Sequence, residues 1–129
     1  MSDNPRDLRY TNDHEWARAD GATVQVGITR HAVEQLGDIT LVNIDVKVGA
    51  KIAAGKAFGT VESVKAVSDL FAPVAGTVVA INPALNNNPE IINDDPYTAG
   101  WMVSVELDAG VTLDGLLSAE QYDAFLGTL

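Results

Sequence analysis

The sequence predicts an α+β domain dominated by β-structure, in which two short sheets form a flattened barrel or sandwich with helices at its edges. Three observations support this fold class. Short runs rich in Val, Ile and Thr alternate with turns that contain Gly or Pro. One segment near the middle of the chain recurs at a fixed offset. Two other stretches carry the capping residues of short helices.

Composition limits the classes of protein to be considered. The 129 residues suit one domain, residues 1–129, and 47% hydrophobic content is enough for an independent core. A net charge of −10 argues against a nucleic-acid partner, because phosphate binding needs clustered Lys and Arg. No apolar run is long enough to span a membrane, and there is no cysteine. Because the first residues show no signal or transit pattern, we expect a bacterial cytoplasmic protein in which residues 1–7 are flexible.

The N-terminal third is predicted to contain a turn, a strand and a helix. A turn at residues 20–21 precedes a strand at residues 22–27, where Val alternates with polar residues. Thr29 is predicted to cap a helix at Arg30–Leu36, because Thr favours the position before a helix. Gly37 follows the helix and is expected to end it.

An internal repeat organises the middle of the chain. Residues 37–43 resemble residues 76–82, so the offset is 76 − 37 = 39. The same offset relates Ile52 to Ile91 and Phe58 to Tyr97. We therefore expect two strand-rich halves that pack against each other and bury both hydrophobic faces. The predicted strands lie around residues 39–44 and 56–62, with a connection through residues 48–52, and around residues 77–81 and 101–107.

The second half contains a long connection, and the chain ends in a helix. Residues 82–100 are rich in Asn, Pro and Asp, which is typical either of a functional loop or of a surface connection. We favour the second interpretation, with Ile91 and Ile92 filling the core. Ser118 and Gln121 form the capping box of a C-terminal helix that covers the core and ends at Gly127.

The stretch around Lys65 is the candidate functional segment. Its valines and Phe71 favour strands, but residues 59–71 are too long for one strand, so a reversal is expected at residues 63–66. No Gly, Pro, Asn or Asp occurs in that reversal, which suggests that something other than turn chemistry selected its residues. Lys65 at the tip is either a point of attachment or an ordinary solvated lysine.

Other kinds of chemistry find little support in the sequence. It contains none of the glycine-rich nucleotide-binding motifs, no nucleophile elbow and no zinc-protease motif. His14 and His31 have no ligand-like spacing, so no metal site is predicted. Taken alone, Glu15 is consistent with a strand residue that faces water.

Many short motifs together resemble one known family, the H proteins of the glycine cleavage system, over residues 9–126. The segment that carries Lys65 resembles the lipoylation site of that family. Each fragment alone is weak, but their combination is specific. The matching residues are Tyr10, Thr11, His14, Glu15, Trp16, Gly27, Ile28, Thr29, Leu36, Gly37, Asp38, Ile39, Glu62, Ser63, Val64, Lys65, Ala66, Ser68, Asp69, Pro73, Gly76, Asn82, Pro89, Glu90, Asn93, Asp95, Pro96, Tyr97, Gly100, Trp101 and Met102.

The resemblance implies a fold and a carrier function. The fold is the barrel-sandwich hybrid of lipoyl and biotinyl carriers, built of two small antiparallel sheets with quasi-two-fold halves and short additional helices. Lys65 would be joined by an amide to lipoic acid. The arm would carry the aminomethyl group of glycine from the PLP-dependent glycine decarboxylase to the aminomethyltransferase, and dihydrolipoyl dehydrogenase would reoxidise it. The protein would thus be a shuttle and not an enzyme.

The resemblance also implies roles for the residues near Lys65. A lipoyl ligase or transferase would read the local shape formed by Glu62, Ser63, Val64 and Ala66. His14, Glu15 and Asp69 would border a cleft that shelters the loaded arm, although both acids are also compatible with ordinary surface carboxylates.

Three alternatives remain at the level of the sequence. The first is an enzyme that uses Lys65 as a Schiff-base nucleophile. The others are a lipoyl domain of a 2-oxo acid dehydrogenase and a biotin carrier. Biotin carriers usually place Met on both sides of the modified lysine, whereas Val64 and Ala66 occupy those positions here.

Overall fold

The structure is a computed structural model that describes residues 4–129; residues 1–3 lie outside the described part. Within that part, the chain forms nine strands and four short helices. The strands are β1 (Arg9–Tyr10), β2 (Glu15–Asp20), β3 (Thr23–Ile28), β4 (Ile39–Ile44), β5 (Lys51–Ile52), β6 (Ala57–Ser63), β7 (Val67–Phe71), β8 (Gly76–Ile81) and β9 (Val103–Leu107). The helices are α1 (Arg30–Leu36), α2 (Ala84–Asn87), α3 (Ile91–Asp94) and α4 (Ala119–Leu126).

Two antiparallel sheets enclose the core, as the sequence predicts. One sheet has six strands in the order β1-β2-β3-β9-β8-β5, and the other has three in the order β4-β6-β7. The central strands contribute alternate residues to one apolar cluster, among them Val26, Val61 and Val105. Each of these three side chains is at most 1% exposed. The predicted α+β class with dominant β-structure is therefore confirmed.

The internal repeat is visible in the irregularities of the sheets. Strand β4 bulges at Thr40 where it pairs with β6, because Ile39 and Leu41 face consecutive residues of the partner. Strand β8 bulges at Val79 where it pairs with β9, in the same way. The offset between the two bulges is 79 − 40 = 39, the value found in the sequence. The strand pairs β4–β6 and β8–β9 are thus the two half-units, and they lie in different sheets.

The offset of 39 does not extend along the whole half-unit. Phe58 lies in β6, whereas Tyr97 lies between α3 and β9, so the two positions are not equivalent. Ile52 lies in β5 and Ile91 in α3, so the sequence interpretation was wrong for this pair as well. The connection of the second half contains two helices and is longer, which displaces its second strand along the chain.

Both predicted helices are confirmed with their capping residues. The Thr29 side chain accepts a hydrogen bond from the Ala32 N–H at the start of α1, and Gly37 follows the helix with φ +84°. At the start of α4, the Ser118 hydroxyl accepts from the Gln121 N–H and the Gln121 side chain accepts from the Ser118 N–H. Local side-chain chemistry therefore fixes the beginning of each helix.

Other predicted bounds need correction. The strand expected at residues 101–107 begins at Val103, and the connection at residues 48–52 contains β5. The connection at residues 82–100 contains α2 and α3, so it is not a plain loop. Its predicted role in the core is confirmed for Ile92, which is fully buried. The side-chain amide of Asn82 closes this segment by donating to the carbonyl oxygens of Ala99 and Trp101.

The two ends of the chain meet in a second apolar cluster. Tyr10 on β1 stacks on Tyr122 on α4, with ring centroids 4.6 Å apart. Asn4 is only 8% exposed, and its amide donates to the Asp123 carboxylate. The flexibility expected for residues 1–7 stays a prediction, and for residues 1–3 it lies outside the described residues. No helix of the described chain is long and apolar enough to cross a membrane.

Candidate functional site

The tip of the β6–β7 hairpin carries Lys65. The Ser63 side-chain oxygen accepts hydrogen bonds from the N–H groups of Lys65 (3.3 Å) and Ala66 (3.0 Å). The Ser63 N–H donates to the Ala66 carbonyl at 2.8 Å. A serine that bonds the backbone two and three residues onward is a recognised turn former. The expectation that turn chemistry did not select these residues is therefore wrong, since Ser63 builds the turn.

The side chain of Lys65 is exposed and lies beside the end of α1. A Cβ atom placed on Gly37 would lie 3.3 Å from Lys65 Cε, so the lysine stem passes close to this glycine. The Val64 N–H donates to the Asp38 carbonyl at 3.2 Å and fastens the tip to the same segment. Among residues 4–129, no hydrogen bond or ion pair involves the Lys65 ammonium group. The amine is therefore accessible to a reactant on the solvent side.

The residues predicted to mark Lys65 for recognition surround it at the tip. Val64 is 73% exposed, and Ser63 and Ala66 are half-buried in the turn. Glu62, also half-buried, faces Leu41 on β4 and Val67 on β7 in the register of the sheet. The structure thus places all four predicted residues next to Lys65, and Ser63 has a structural task in addition.

Glu15 is the one Asp, Glu, Lys or Arg side chain among residues 4–129 that is buried. It is 2% exposed, so the interpretation of Glu15 as a strand residue facing water is wrong. One carboxylate oxygen accepts from the Thr11 hydroxyl at 3.0 Å and the other from the Phe71 N–H at 3.4 Å. No basic side chain of the described residues forms an ion pair with it. Burial raises the pKa of Glu15 to about 8, because the charged form loses its hydration.

Strand β7 connects Lys65 to Glu15. The hairpin tip lies at the start of β7, and Phe71, which contacts Glu15, lies at its end. Four residue steps along a strand span about 13 Å. Asp69 is exposed on β7, opposite Thr60 of β6, and two residues before Phe71. Lys65, Asp69 and the Glu15 carboxylate therefore lie near the start, the middle and the end of β7, an edge strand of the three-stranded sheet.

His14 lies beside Glu15 in sequence but is directed elsewhere. Its backbone has φ +68°, a left-handed conformation that is uncommon outside glycine. Its Nδ1 lies 2.7 Å from the Tyr122 hydroxyl, which is 2.8 Å from the Thr29 hydroxyl. The side-chain contacts of His14 thus lie around α1 and α4, and not on the lysine hairpin.

The two histidines, which are far apart in sequence, meet in space. The rings of His14 and His31 have centroids 4.6 Å apart. Burial and the neighbouring His31 both lower the pKa of His14, because each disfavours the protonated ring. Within residues 4–129, no group of three or more His, Cys, Asp or Glu side chains is arranged to hold a metal ion.

Sequence reasoning missed two parts of the site. The sequence predicts Gly37 as the end of a helix and the start of the repeat, but not its contact with Lys65, which follows from strand register. The N–H of Phe71 as a partner of Glu15 could not be predicted, since the two residues are 56 positions apart. Neither leaves a local sequence signal, because both depend on how separate strands pack.

Comparisons with known proteins all find relatives in one family. A family model described as "Glycine cleavage H-protein" matches residues 8–128. The chain is 49% identical over 122 residues to the glycine cleavage system H protein of Geobacillus kaustophilus, with 95% of each chain covered. It is 50% identical over 127 residues to that of Myxococcus xanthus, with 98% of each covered.

A solved structure supports the fold. The crystal structure of a glycine cleavage system H protein from Mycobacterium marinum matches this chain with a TM-score of 0.86 at 45% identity. The match covers 96% of this chain and 99% of the other. The predicted barrel-sandwich architecture with added short helices is thereby confirmed.

Proposed function

Because the chain belongs to the glycine cleavage H-protein family, we propose that it carries lipoic acid on Lys65 as the mobile component of the glycine cleavage system. As a member of this family it is a carrier component and not a catalyst. The observation that supports the site is the position of Lys65: an exposed lysine at the tip of a hairpin, with an ammonium group free of hydrogen bonds and ion pairs within the described chain.

The residues at the tip fit an amide-linked arm. Amide formation removes the lysine charge, and no ion pair of the described residues is lost when that happens. The backbone of the tip is held by Ser63 and Asp38, so the attachment point stays fixed while the side chain is free to extend. Lipoic acid supplies a dithiolane, whose sulfur atoms can accept a carbon group and undergo reduction and reoxidation.

The exposure of Lys65 also separates this function from the alternatives. A Schiff-base lysine is usually activated by desolvation or by a neighbouring cation. Lys65 has an exposed side chain instead. Val64 and Ala66 do not match the Met-flanked lysine of biotin carriers. A lipoyl domain of a 2-oxo acid dehydrogenase is the nearest alternative, and the match over residues 8–128 supports the glycine cleavage family.

The cargo is an aminomethyl group from glycine, and four partners follow from this role. A lipoyl ligase or transferase attaches the arm. Glycine decarboxylase loads it, the aminomethyltransferase unloads it, and dihydrolipoyl dehydrogenase reoxidises it. A net charge of −10 favours partner surfaces with basic entrances, since opposite charges speed encounter. On the basis of the bacterial relatives, we place this exchange in the bacterial cytoplasm.

Glu15 and Asp69 are the residues that we assign to sheltering the cargo. A primary amine is cationic at neutral pH, and a carboxylate binds it by charge-assisted hydrogen bonds. Glu15 is buried without a cation partner among residues 4–129, and an approaching ammonium group would favour its ionised form. Asp69 lies on β7, between Lys65 and Phe71, the residue whose N–H binds Glu15. We leave His14 out of this assignment, because its side chain contacts Tyr122 and His31 and not the lysine hairpin.

The test is replacement of the attachment residue. Lys65→Arg keeps a positive charge but cannot form the lipoyl amide, so glycine decarboxylation in a system reconstituted with purified partners should fall to background. The fold should be retained within about 0.5 kcal/mol, because the side chain is exposed. Lys56→Arg is the matched control, since Lys56 is also exposed in a turn. Substantial activity of Lys65→Arg, or loss of activity in the control alone, would contradict the assignment.

A further inference from the structure

The first residue of β4 is bound on both sides, although β4 is an edge strand of the three-stranded sheet. On one side, Ile39 pairs with Ser63 of β6. On the other side, the Ile39 N–H donates to the Asn93 side-chain oxygen at 2.9 Å, and the Asn93 side-chain amide donates to the Ile39 carbonyl oxygen at 3.2 Å. One side chain thus forms the two hydrogen bonds that a neighbouring antiparallel strand would form with this residue.

The other half-unit shows what this amide replaces. The offset of 39 relates Ile39 to Val78, which lies on β8. The Val78 N–H donates to the Ala50 carbonyl oxygen at 2.8 Å, and the Val78 carbonyl oxygen accepts from the Gly49 N–H at 2.7 Å. Backbone groups just before β5 therefore bind the second half, where a side chain from α3 binds the first. The Asn93 amide takes the place of that backbone segment.

Asn93 is itself held firmly. Its backbone N–H donates to the Glu90 carbonyl oxygen at 3.0 Å, and its carbonyl oxygen accepts from the Arg30 guanidinium at 2.6 Å. The same guanidinium donates to the Asp94 carbonyl oxygen at 3.3 Å, so the first residue of α1 binds the end of α3. A side chain whose backbone is fixed loses less conformational freedom when it forms hydrogen bonds. The amide is therefore a prearranged support for β4.

The segment that Asn93 binds also supports the tip of the lysine hairpin. The Asp38 carbonyl oxygen accepts from the Val64 N–H at 3.2 Å, and the stem of Lys65 passes beside the glycine that precedes Asp38. Residues 37–39 therefore contact the hairpin on one side, while Asn93 binds the last of them on the other. A shift of this segment would carry the tip with it.

On this geometry, we propose that Asn93 is a positioning residue for Lys65, an inference that rests on the proposed function. Its amide fixes residues 37–39, and these fix the direction in which the tip presents the lysine amine. Acylation depends on that direction, because the amine must reach the carbonyl carbon of an acyl adenylate held by another protein. The amine attacks that carbon, AMP leaves, and the nitrogen loses a proton as the amide forms. Asn93 takes no part in this step and acts only through the backbone.

Asn93→Asp tests the role at nearly constant side-chain volume. A carboxylate still accepts from the Ile39 N–H, but it has no donor for the Ile39 carbonyl oxygen and repels it. Asn82→Asp is the matched control, because the Asn82 amide also donates to carbonyl oxygens, those of Ala99 and Trp101. These bonds lie at the base of the same connection and not on the segment that supports the hairpin. Both variants add one negative charge.

The experiment measures acylation and local opening together. Apo protein is incubated with lipoate, ATP and a purified lipoate–protein ligase, and initial rates followed by intact mass give kcat and KM. Hydrogen exchange of the Val64 N–H reports on its bond to Asp38, and urea unfolding gives the stability of each variant. Asn87→Asp serves as a second control for charge alone, since Asn87 is exposed on α2.

We expect Asn93→Asp to lower kcat/KM by about tenfold, mainly through KM, because an enzyme at saturation selects the productive orientation of the tip from a wider set. The Val64 N–H should also exchange roughly tenfold faster, since its local opening becomes easier. Asn82→Asp should stay within about twofold of wild type in both measurements, even where its free energy of unfolding falls as far. Asn87→Asp should match wild type throughout.

Four outcomes would count against the proposal. Asn93→Asp within about twofold of wild type in kcat/KM would overturn the positioning role and leave attachment to Lys65 intact. An equal loss in either control would overturn it as well, because stability or charge would then explain the effect. If Asn93→Asp does not melt cooperatively, Asn93→Ser takes its place under the same expectations, and failure of both to fold would mean that Asn93 serves folding and not positioning. If wild-type protein gains no lipoyl mass while a second acceptor protein does, the proposed function itself fails.

Discussion

The two half-units of the domain share the framework of their paired strands but differ in the side chain that faces one glycine of each. Pairing places Ile39 opposite Ser63 in the first half and Val78 opposite Val105 in the second. The offsets are 78 − 39 = 39 for the first strand and 105 − 63 = 42 for the second. Adding 39 to Gly37 and 42 to Lys65 gives Gly76 and Leu107, and these two residues are paired between β8 and β9. Each half therefore sets a glycine against a long side chain, Lys65 in one and Leu107 in the other.

The difference between the halves lies in what surrounds that side chain. Leu107 is partly buried against the core, and its strand β9 is paired on both sides, by β3 and β8. Lys65 lies beyond the end of β6, where the chain reverses within four residues into β7. The same local framework thus yields a packed strand end in one half and an exposed tip in the other. The neighbouring elements, and not the repeat, determine which half carries an exposed lysine.

The first prediction tests whether the framework alone is sufficient for attachment. In the double variant Lys65→Arg/Leu107→Lys, a lysine occupies the equivalent position of the second half. We expect no lipoyl group at residue 107, because that side chain is half-buried and its strand is paired on both sides. The measurement is peptide mass mapping after incubation with lipoate–protein ligase, with wild-type protein as the control.

Acylation of the transplanted lysine at a rate near that of wild type would contradict the comparison. It would mean that the repeated framework, and not the exposed hairpin tip, is what the enzyme recognises. Thermal melting should accompany the mapping, because a lysine that replaces a half-buried leucine also lowers stability.

The second prediction uses the two glycines. A Cβ on Gly76 would overlap the Glu106 carbonyl oxygen, so Gly76→Ala requires backbone movement and should cost about 3 kcal/mol or more. A Cβ on Gly37 meets only the flexible Lys65 side chain at 3.3 Å. Gly37→Ala should therefore cost about 1–3 kcal/mol, from its left-handed backbone alone. Urea unfolding measures both.

Gly110→Ala is the control for the backbone contribution. Gly110 has φ +81° and nothing within 4 Å of an added Cβ. Gly110→Ala therefore has the cost of the left-handed backbone but no steric clash. Gly37→Ala should resemble this control in stability but should acylate more slowly. A cost for Gly76→Ala as small as that of the control would show that the second half is less tightly packed than its geometry indicates.

The third prediction concerns Glu15, which borders the first half at the end of β7. Burial raises the pKa of Glu15 from an ordinary value of 4.5 to about 8. Between pH 4.5 and about 8, the folded protein therefore holds a proton on Glu15 that the unfolded chain has lost. The contribution of Glu15 to the free energy of unfolding should therefore be greatest below about pH 4.5 and should fall as the pH rises towards 8. The slope within the window is up to about 1.4 kcal/mol per pH unit.

Glu15→Gln should remove this component of the pH dependence. The stability of the variant relative to wild type should rise with pH across the window, as measured by urea unfolding at several pH values. Asp69→Asn is the control, because Asp69 is exposed. The same pair tests shelter of the cargo: protein loaded with the aminomethyl group should release formaldehyde faster in either variant. Equal release by wild type and both variants would argue against shelter.

Local sequence determined much of this fold. Thr29 with Gly37, and Ser118 with Gln121, fixed α1 and α4, because a cap acts on N–H groups within three residues of itself. The bounds of β4 and the reversal at Lys65 followed from the spacing of apolar residues and the limited length of strands. The two bulges that the structure shows at Thr40 and Val79 recur at the offset of 39 found in the sequence. The motif around Lys65 predicts an attachment site without any long-range contact, and the structure places this lysine at an exposed hairpin tip.

Tertiary structure alone decided the environment of the site. The burial of Glu15, the meeting of His14 with His31, and the contact of Gly37 with Lys65 join residues that are distant in sequence. Alternation along β2 could not show that Glu15 is covered, because the cover is provided by the end of β7. The row formed by Leu41, Glu62 and Val67 likewise depends on register between three strands. Side-chain pattern specifies which residues share a face, whereas only the packing of separate elements decides which face meets water.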